Sequence, residues 1–110
     1  MEIALSYADY KTINAHQGYS IGFNSDIMEI NNLEVELLQR FEKYLCKSKG
    51  VLINFIINEN KSLSDISSTM VKINNFINND TDIIVGTETN NNINIEECKF
   101  EILITGLETI

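Results

Sequence analysis

The sequence predicts an α/β fold of the two-layer α+β kind, in which a four-stranded mixed sheet carries two main helices on one face. Apolar residues recur at helical spacing in two long segments, and shorter segments with the period or the length of strands separate them. The 110 residues make one domain by length. A domain of this size hides about two-thirds of the surface of its unfolded chain, so a core can form without disulfides or metals.

A short helix is expected at the start of the chain, over residues 6 to about 15. Ser6 with Asp9 three residues later is a variant of the capping box, in which the acidic side chain reaches back to the start of the helix. In residues 17–23, large apolar side chains then alternate with Gly and Ser, which is the period of a strand.

The clearest helix is predicted for residues 30–47, where apolar side chains form one stripe and the opposite face is charged. Gly50 then ends the helical part. Residues 51–57 are apolar almost throughout, which is typical of a central strand covered on both faces. The expected stripe of the helix consists of Ile30, Leu33, Leu37, Leu38, Phe41, Tyr44 and Leu45.

A second long helix follows, and Ser62 or Ser64 is expected to cap it. Two strands close the chain, a short one over residues 83–85 and a longer one over residues 99–107. The apolar stripe expected for this helix consists of Leu63, Ile66, Met70, Ile73, Phe76 and Ile77.

The predicted order of elements is α-β-α-β-α-β-β. The passage from residue 51 to residue 85 has the strand-helix-strand pattern of a parallel crossover, which is right-handed by rule. The last two strands flank a polar turn at residues 90–94 and are expected to be antiparallel neighbours or near neighbours.

The composition excludes several classes of function. The net charge is −8, from 16 acidic and 8 basic residues, which argues against binding to nucleic acid or to anionic lipid. Cys46 and Cys98 are far apart in sequence and indicate two free thiols, with no metal site and no disulfide framework. No apolar run is long enough to span a membrane, and no signal segment opens the sequence. We therefore expect a cytoplasmic domain that does not insert into membranes.

Four segments of the chain, in order and without large gaps, resemble segments of the bacterial tubulin relative FtsZ. Residues 5–13, LSYADYKTI, resemble the family's synergy loop, and residues 50–77 resemble the strand and helix that follow that loop. Residues 82–93, DIIVGTETNNNI, resemble its Val-Val-Ile-Gly-Thr strand and turn, and residues 100–108, FEILITGLE, resemble its closing strand. The chain thus resembles the C-terminal domain of an FtsZ-like protein over nearly its whole length.

This resemblance implies that residues 1–110 are a fragment of a cytoskeletal GTPase. The GTP-binding domain would lie upstream, and GTP would be the cofactor of the parent protein, bound outside this chain. No glycine-rich phosphate loop of the G-x-x-x-x-G-K-[ST] kind occurs in the sequence. The family's head-to-tail filaments imply a homo-oligomeric parent. The family's role implies cell division, while plasmid segregation and other cytoskeletal roles stay open.

In such filaments the loop at the start of this domain enters the nucleotide pocket of the next subunit and helps to position the attacking water. The resemblance places the family's second acidic residue on Asp9, which makes Asp9 the candidate catalytic residue. The first acidic residue falls on Ser6 and the amide falls on Ala4, so two of the three polar groups are absent. This departure implies slow hydrolysis, or a site that a different subunit completes. A capping role for Asp9 is compatible with either.

The candidate interface residues are Ser6, Tyr7 and Tyr10. The two tyrosines flank Asp9, and they either pack the short helix onto the sheet or line the contact between subunits. His16 is the only histidine, and no Ser, Cys or acid lies at a diagnostic spacing from it, so we expect it to be structural or solvated.

An alternative function of a different class is a stand-alone α/β module that senses a small ligand or dimerises. An enzyme complete within this chain is not supported, because the sequence offers no set of nucleophile, base and oxyanion donors. Because the sequence has no phosphate loop, the isolated chain should bind no GTP. If a helix of the parent covers the second face of the sheet, the isolated chain should also dimerise, swap an element or aggregate at high concentration.

Overall fold

The computed structural model describes residues 3–110 and confirms the α/β fold class. Three helices and a five-stranded mixed sheet make up this part of the chain. In chain order the elements are α1 (Tyr7–Asn14), β1 (Tyr19–Asn24), β2 (Met28–Glu29), a 3-10 turn (Ile30–Asn32), α2 (Leu33–Leu45), β3 (Gly50–Ile57), α3 (Ser64–Asn74), β4 (Asp82–Thr89) and β5 (Glu97–Leu107).

The sheet has the strand order β1-β5-β3-β4. Strands β3 and β4 are parallel and enclose α3, as the crossover pattern predicted, and β5 runs antiparallel to both β1 and β3. The last two strands are therefore near neighbours of opposite direction, with β3 between them. All eight residues of β3 are buried, because this strand is central and both of its faces are covered.

Helices α2 and α3 pack on one face of the sheet, as expected, and the main hydrophobic core lies between these two layers. Alternate residues of β3 and β5 enter this core, including Phe55 and Phe100, which face each other across the two strands. The rings of Phe23 and Phe41 complete an aromatic cluster with Phe100, at centroid distances of 5.4 to 6.4 Å. Offset and edge-to-face rings at such distances stabilise a core beyond the area that they bury.

The second face of the sheet carries α1. Ile13 of α1 is fully buried, and its carbonyl oxygen accepts a hydrogen bond of 2.6 Å from Oγ1 of Thr105 on β5. Gly50 permits this approach, since a Cβ at that position would lie 2.5 Å from Oγ1 of Thr105. Just beyond α1, Nε2 of His16 lies 2.8 Å from Oδ2 of Asp82 at the start of β4. The contact between His16 and Asp82 links the end of α1 to the sheet, which agrees with a structural role for His16.

Several boundaries differ from the sequence prediction by a few residues, and three differences stand out. The α-helix predicted from residue 30 begins at Leu33, after the 3-10 turn. The prediction that Ser62 or Ser64 caps the next helix was wrong. Leu63 stands at the N-cap without a side-chain hydrogen bond, because Oγ of Ser62 accepts from the Ser64 amide at 3.2 Å in a local turn. Strand β4 is longer than residues 83–85, since it pairs with β3 along its full length.

Candidate functional site

The capping box expected from the sequence is present at the N-terminal end of α1. Ser6 is the N-cap, and its backbone N–H donates to Oδ2 of Asp9 at 2.8 Å. In return, the Asp9 backbone N–H donates to Oγ of Ser6 at 3.3 Å, and the Ser6 hydroxyl also donates to Oδ2 at 3.1 Å. One carboxylate oxygen of Asp9 is therefore fixed toward the first turn, where the helix dipole favours a negative charge.

The two tyrosines that flank Asp9 have different environments. Tyr7, the first residue of α1, is 81% exposed and does not pack onto the sheet. Tyr10 is 38% exposed and lines a cavity of about 280 Å³ above β3, β4 and β5. Tyr10 thus takes the packing role that was one of the two alternatives for this pair, while Tyr7 is left available for a contact.

A polar group lies beneath Tyr10 on the second face of the sheet. The side-chain amide of Asn54, which is buried in β3, donates to Oε1 of Glu101 at 3.0 Å and to Oε1 of Glu88 at 3.3 Å. Burial raises the pKa of the Tyr10 hydroxyl, and the negative charges of Glu101, Glu88 and Asp9 raise it further, in that order. The Tyr10 hydroxyl therefore stays protonated and neutral beside these carboxylates.

Sequence reasoning missed this polar group, although one signal pointed to it. Asn54 stands at the centre of a strand that is otherwise apolar apart from Gly50, and a buried amide requires hydrogen-bond partners. Its partners had to come from the neighbouring strands on the same face. The register supplies Glu101 directly opposite Asn54 on β5.

The structure brings some predicted site residues together and separates others. Ser6 and Asp9 share the capping box, and Ala4 lies two residues before it with an exposed side chain. Tyr10 turns toward the sheet, whereas Tyr7 faces solvent. At the N-terminal end of α1, Ser6 and Tyr7 are exposed and Asp9 is half-buried, and we call these three residues the α1 tip.

The chain's five glycines do not form a phosphate cradle in the described part of the chain. Gly18, just before β1, has a φ of 116°, and Gly106, near the end of β5, has a φ of 75°. Gly50 and Gly86 are buried beneath other segments of the chain. A phosphate loop needs clustered backbone N–H groups at the start of a helix. The glycines within residues 3–110 are not arranged in this way.

Other chemistry-bearing groups within residues 3–110 give no further reactive site. No group of three or more His, Cys, Asp or Glu residues there could hold a metal ion. Burial raises the pKa of the Cys98 thiol to about 11, with Asp65 adding to the rise and Lys61 opposing it, so the thiol stays protonated. In the same described range, no helix is long and apolar enough to cross a membrane.

Removal of the N-cap is expected to destabilise the chain modestly. Ser6→Ala eliminates the acceptor for the Asp9 amide and the hydroxyl bound to its carboxylate, so we expect the free energy of unfolding to fall by about 0.5–2 kcal/mol. Urea unfolding followed by circular dichroism measures this change. Ser68→Ala is the matched control, because Ser68 is an exposed serine within α3. A loss no larger than that of the control would show that the cap does not stabilise α1.

Comparisons with known proteins support the fold. No protein-family model matches the chain, and no curated protein matches it. Among solved structures, an empty FtsZ dimer from M. jannaschii matches with a TM-score of 0.72 at 16% identity, covering 94% of this chain and 32% of that one. A tryptophan-to-tyrosine variant of FtsZ from the same organism matches with a TM-score of 0.73 at 16% identity, covering 96% of this chain and 33% of that one.

The chain thus spans about a third of the length of the FtsZ structures that it matches. At this level of identity the similarity establishes the fold. The chain has the fold of an FtsZ-like C-terminal domain, as the resemblance of its four segments implied.

Proposed function

We propose that this chain is the part of an FtsZ-like cytoskeletal GTPase that presents the α1 tip to the next subunit of a head-to-tail filament. In this proposal GTP is bound by a domain outside residues 1–110 of the sequence, and Asp9 faces the nucleotide of the neighbouring subunit. A head-to-tail contact joins two different surfaces and therefore builds open filaments. The parent protein would act in the cytoplasm, in cell division.

The observation that carries this proposal is that the α1 tip combines a carboxylate held in a fixed position with an exposed aromatic side chain. The capping box fixes one oxygen of the Asp9 carboxylate, while the adjacent Tyr7 is 81% exposed without packing against its own domain. A carboxylate that must orient a water needs a fixed position, because phosphoryl transfer depends chiefly on positioning and on charge placement. An exposed aromatic ring beside it is the kind of residue that dominates contact energies between proteins.

In this proposal the site is shared between subunits. The chain supplies a carboxylate, and another domain supplies the pocket. About two-thirds of each solved structure that shares this fold lies outside the matched part, which leaves room for a nucleotide-binding part in a parent protein.

Replacing Tyr7 tests whether the α1 tip is an assembly contact. Tyr7→Ala in the full-length parent is expected to raise the critical concentration for filament assembly about tenfold or more, the effect of losing about 1.4 kcal/mol per contact. The fold should be unaffected, because the Tyr7 side chain is mostly in solvent. Sedimentation of filaments over a range of protein concentrations measures the critical concentration.

Tyr19→Ala is the matched control for this experiment. Tyr19 is also an exposed tyrosine, 57% exposed, but it begins β1 beyond the opposite end of α1. We expect its replacement to leave the critical concentration unchanged. If Tyr7→Ala assembles at the wild-type concentration, the α1 tip is not the contact surface, and the proposed function loses its structural basis.

A further inference from the structure

The segment that leads into α1 is attached to the outer edge of β4. The Ile3 backbone N–H donates to the carbonyl oxygen of Thr87 at 3.1 Å, and the Thr87 N–H donates to the Ile3 carbonyl oxygen at 2.9 Å. The Ile3 N–H also donates to Oγ1 of Thr87 at 2.8 Å. These bonds set where the segment leaves the sheet edge.

The same segment then crosses the second face of the sheet over a glycine. Leu5 lies on Gly86, which is buried in β4 and is placed by the strand register beside Asn54. A Cβ at position 86 would lie 2.5 Å from Cγ of Leu5, 2.7 Å from Cδ2 of Leu5 and 2.9 Å from the Ile3 carbonyl oxygen. No side chain fits at this position unless the segment moves away.

We propose that Gly86 is a positioning residue for the Asp9 carboxylate. Leu5 is followed directly by Ser6, whose N–H and hydroxyl hold Oδ2 of Asp9 at 2.8 and 3.1 Å. Any displacement of Leu5 is therefore passed through the capping box to the carboxylate. The inference rests on the proposed function, since the position of Asp9 matters for turnover only if the α1 tip meets a nucleotide.

The far end of α1 is held independently of Gly86. The hydrogen bond from Thr105 to the Ile13 carbonyl and the contact between His16 and Asp82 lie at that end. A side chain at position 86 should therefore move the tip of α1 while the rest of the helix stays attached to the sheet.

The size of the movement follows from the distances. The carbon contact of 2.5 Å must open to at least the 3.4 Å of ordinary van der Waals contact. The tip would shift by up to about 1 Å, and a misplacement of about 1 Å commonly lowers a rate about 100-fold.

The experiment compares Gly86→Ala with Gly22→Ala in the full-length parent. A Cβ at Gly22, on β1, would meet no atom within 4 Å, so Gly22→Ala controls for the change of glycine to alanine in a strand. We expect Gly86→Ala to lower GTP turnover per filament mass about 10–100-fold with unchanged nucleotide affinity. Hydrogen exchange at the Ile3 and Asp9 amides should quicken in the same variant. Gly22→Ala should change none of these quantities.

A second variant tests the contact from the other side. Leu5→Ala removes the Cγ and Cδ2 atoms that a methyl group at position 86 would strike. The double variant Leu5→Ala with Gly86→Ala should therefore lose less turnover than the product of the two single effects, with only the 2.9 Å contact to the Ile3 carbonyl oxygen remaining. If Gly86→Ala does not fold, Leu5→Ala alone is compared with wild type. Unchanged turnover and unchanged exchange in it would then overturn the inference.

The outcomes separate this inference from the proposed function. Turnover and exchange that match those of Gly22→Ala would overturn the positioning role of Gly86. Faster exchange with normal turnover would also overturn it, provided that Asp9→Ala lowers turnover, and the proposed function would then stand. If neither Gly86→Ala nor Asp9→Ala lowers turnover, the proposed function itself fails.

Discussion

Replacing Asp9 with alanine in the full-length parent should lower GTP turnover by about 10²–10⁴-fold, the usual contribution of a positioned catalytic group. Nucleotide binding should stay nearly intact, because in the proposed function the nucleotide pocket lies in another domain. Slower hydrolysis should also give longer-lived filaments. A phosphate-release assay on polymerised protein, at matched filament mass, measures the turnover.

Asp9→Asn separates the charge of Asp9 from its capping role. The asparagine side chain keeps an oxygen that can accept from the Ser6 N–H, so most of the capping box is retained while the negative charge is lost. If the carboxylate orients a water, Asp9→Asn should lower turnover nearly as much as Asp9→Ala does. If Asp9 acts only as a cap, the asparagine variant should behave like the wild type.

Restoring the family pattern tests the loop in the opposite direction. Ala4→Asn together with Ser6→Asp supplies the amide and the acidic group that this chain lacks, and aspartate at position 6 can still serve as an N-cap. Turnover should rise if the α1 tip reaches the phosphate. A change of less than about twofold in Asp9→Ala, together with no gain in the restored variant, would leave Asp9 with a capping role alone.

The sequence predicted most of the fold because the main elements depend on local patterns. The apolar run of residues 51–57 identified the central strand, and the spacing of Ser6 and Asp9 identified the start of α1. Strand β2 was missed because its two residues form a strand only by pairing with β5. Two residues are too few for an alternation to be visible.

In the candidate site, too, the local contacts could be predicted from the sequence and the long-range contacts could not. Ser6 and Asp9 interact within one helical turn, so their spacing was sufficient to predict the capping box. Tyr7 and Tyr10 are three residues apart on the same helix, and only the packing of α1 against the sheet makes Tyr10 less exposed, at 38%, than Tyr7, at 81%. The role proposed for Gly86 depends on its contact with Leu5, which is distant in sequence, so no local sequence pattern indicates it.

The largest loss of stability is expected from Phe100→Ala. Phe100 is fully buried in β5, and its ring contacts those of Phe23 and Phe41. Truncating such a ring removes its burial and leaves a cavity that the surrounding sheet and helices fill only in part. We expect the free energy of unfolding of the chain to fall by about 3–5 kcal/mol, as is usual for buried Phe→Ala changes.

Domains of this kind have a total stability of about 5–15 kcal/mol, so this loss would bring the chain close to its unfolding threshold. Urea unfolding followed by circular dichroism measures it as a shift of the midpoint. Phe76→Ala is the control, because Phe76 is 36% exposed in the turn after α3 and should cost less than about 1 kcal/mol. Phe41→Ala should be non-additive with Phe100→Ala by about 0.5–1.5 kcal/mol, since the two rings meet edge to face. Equal midpoints for the Phe76 and Phe100 variants would contradict the placement of the core between the sheet and the two long helices.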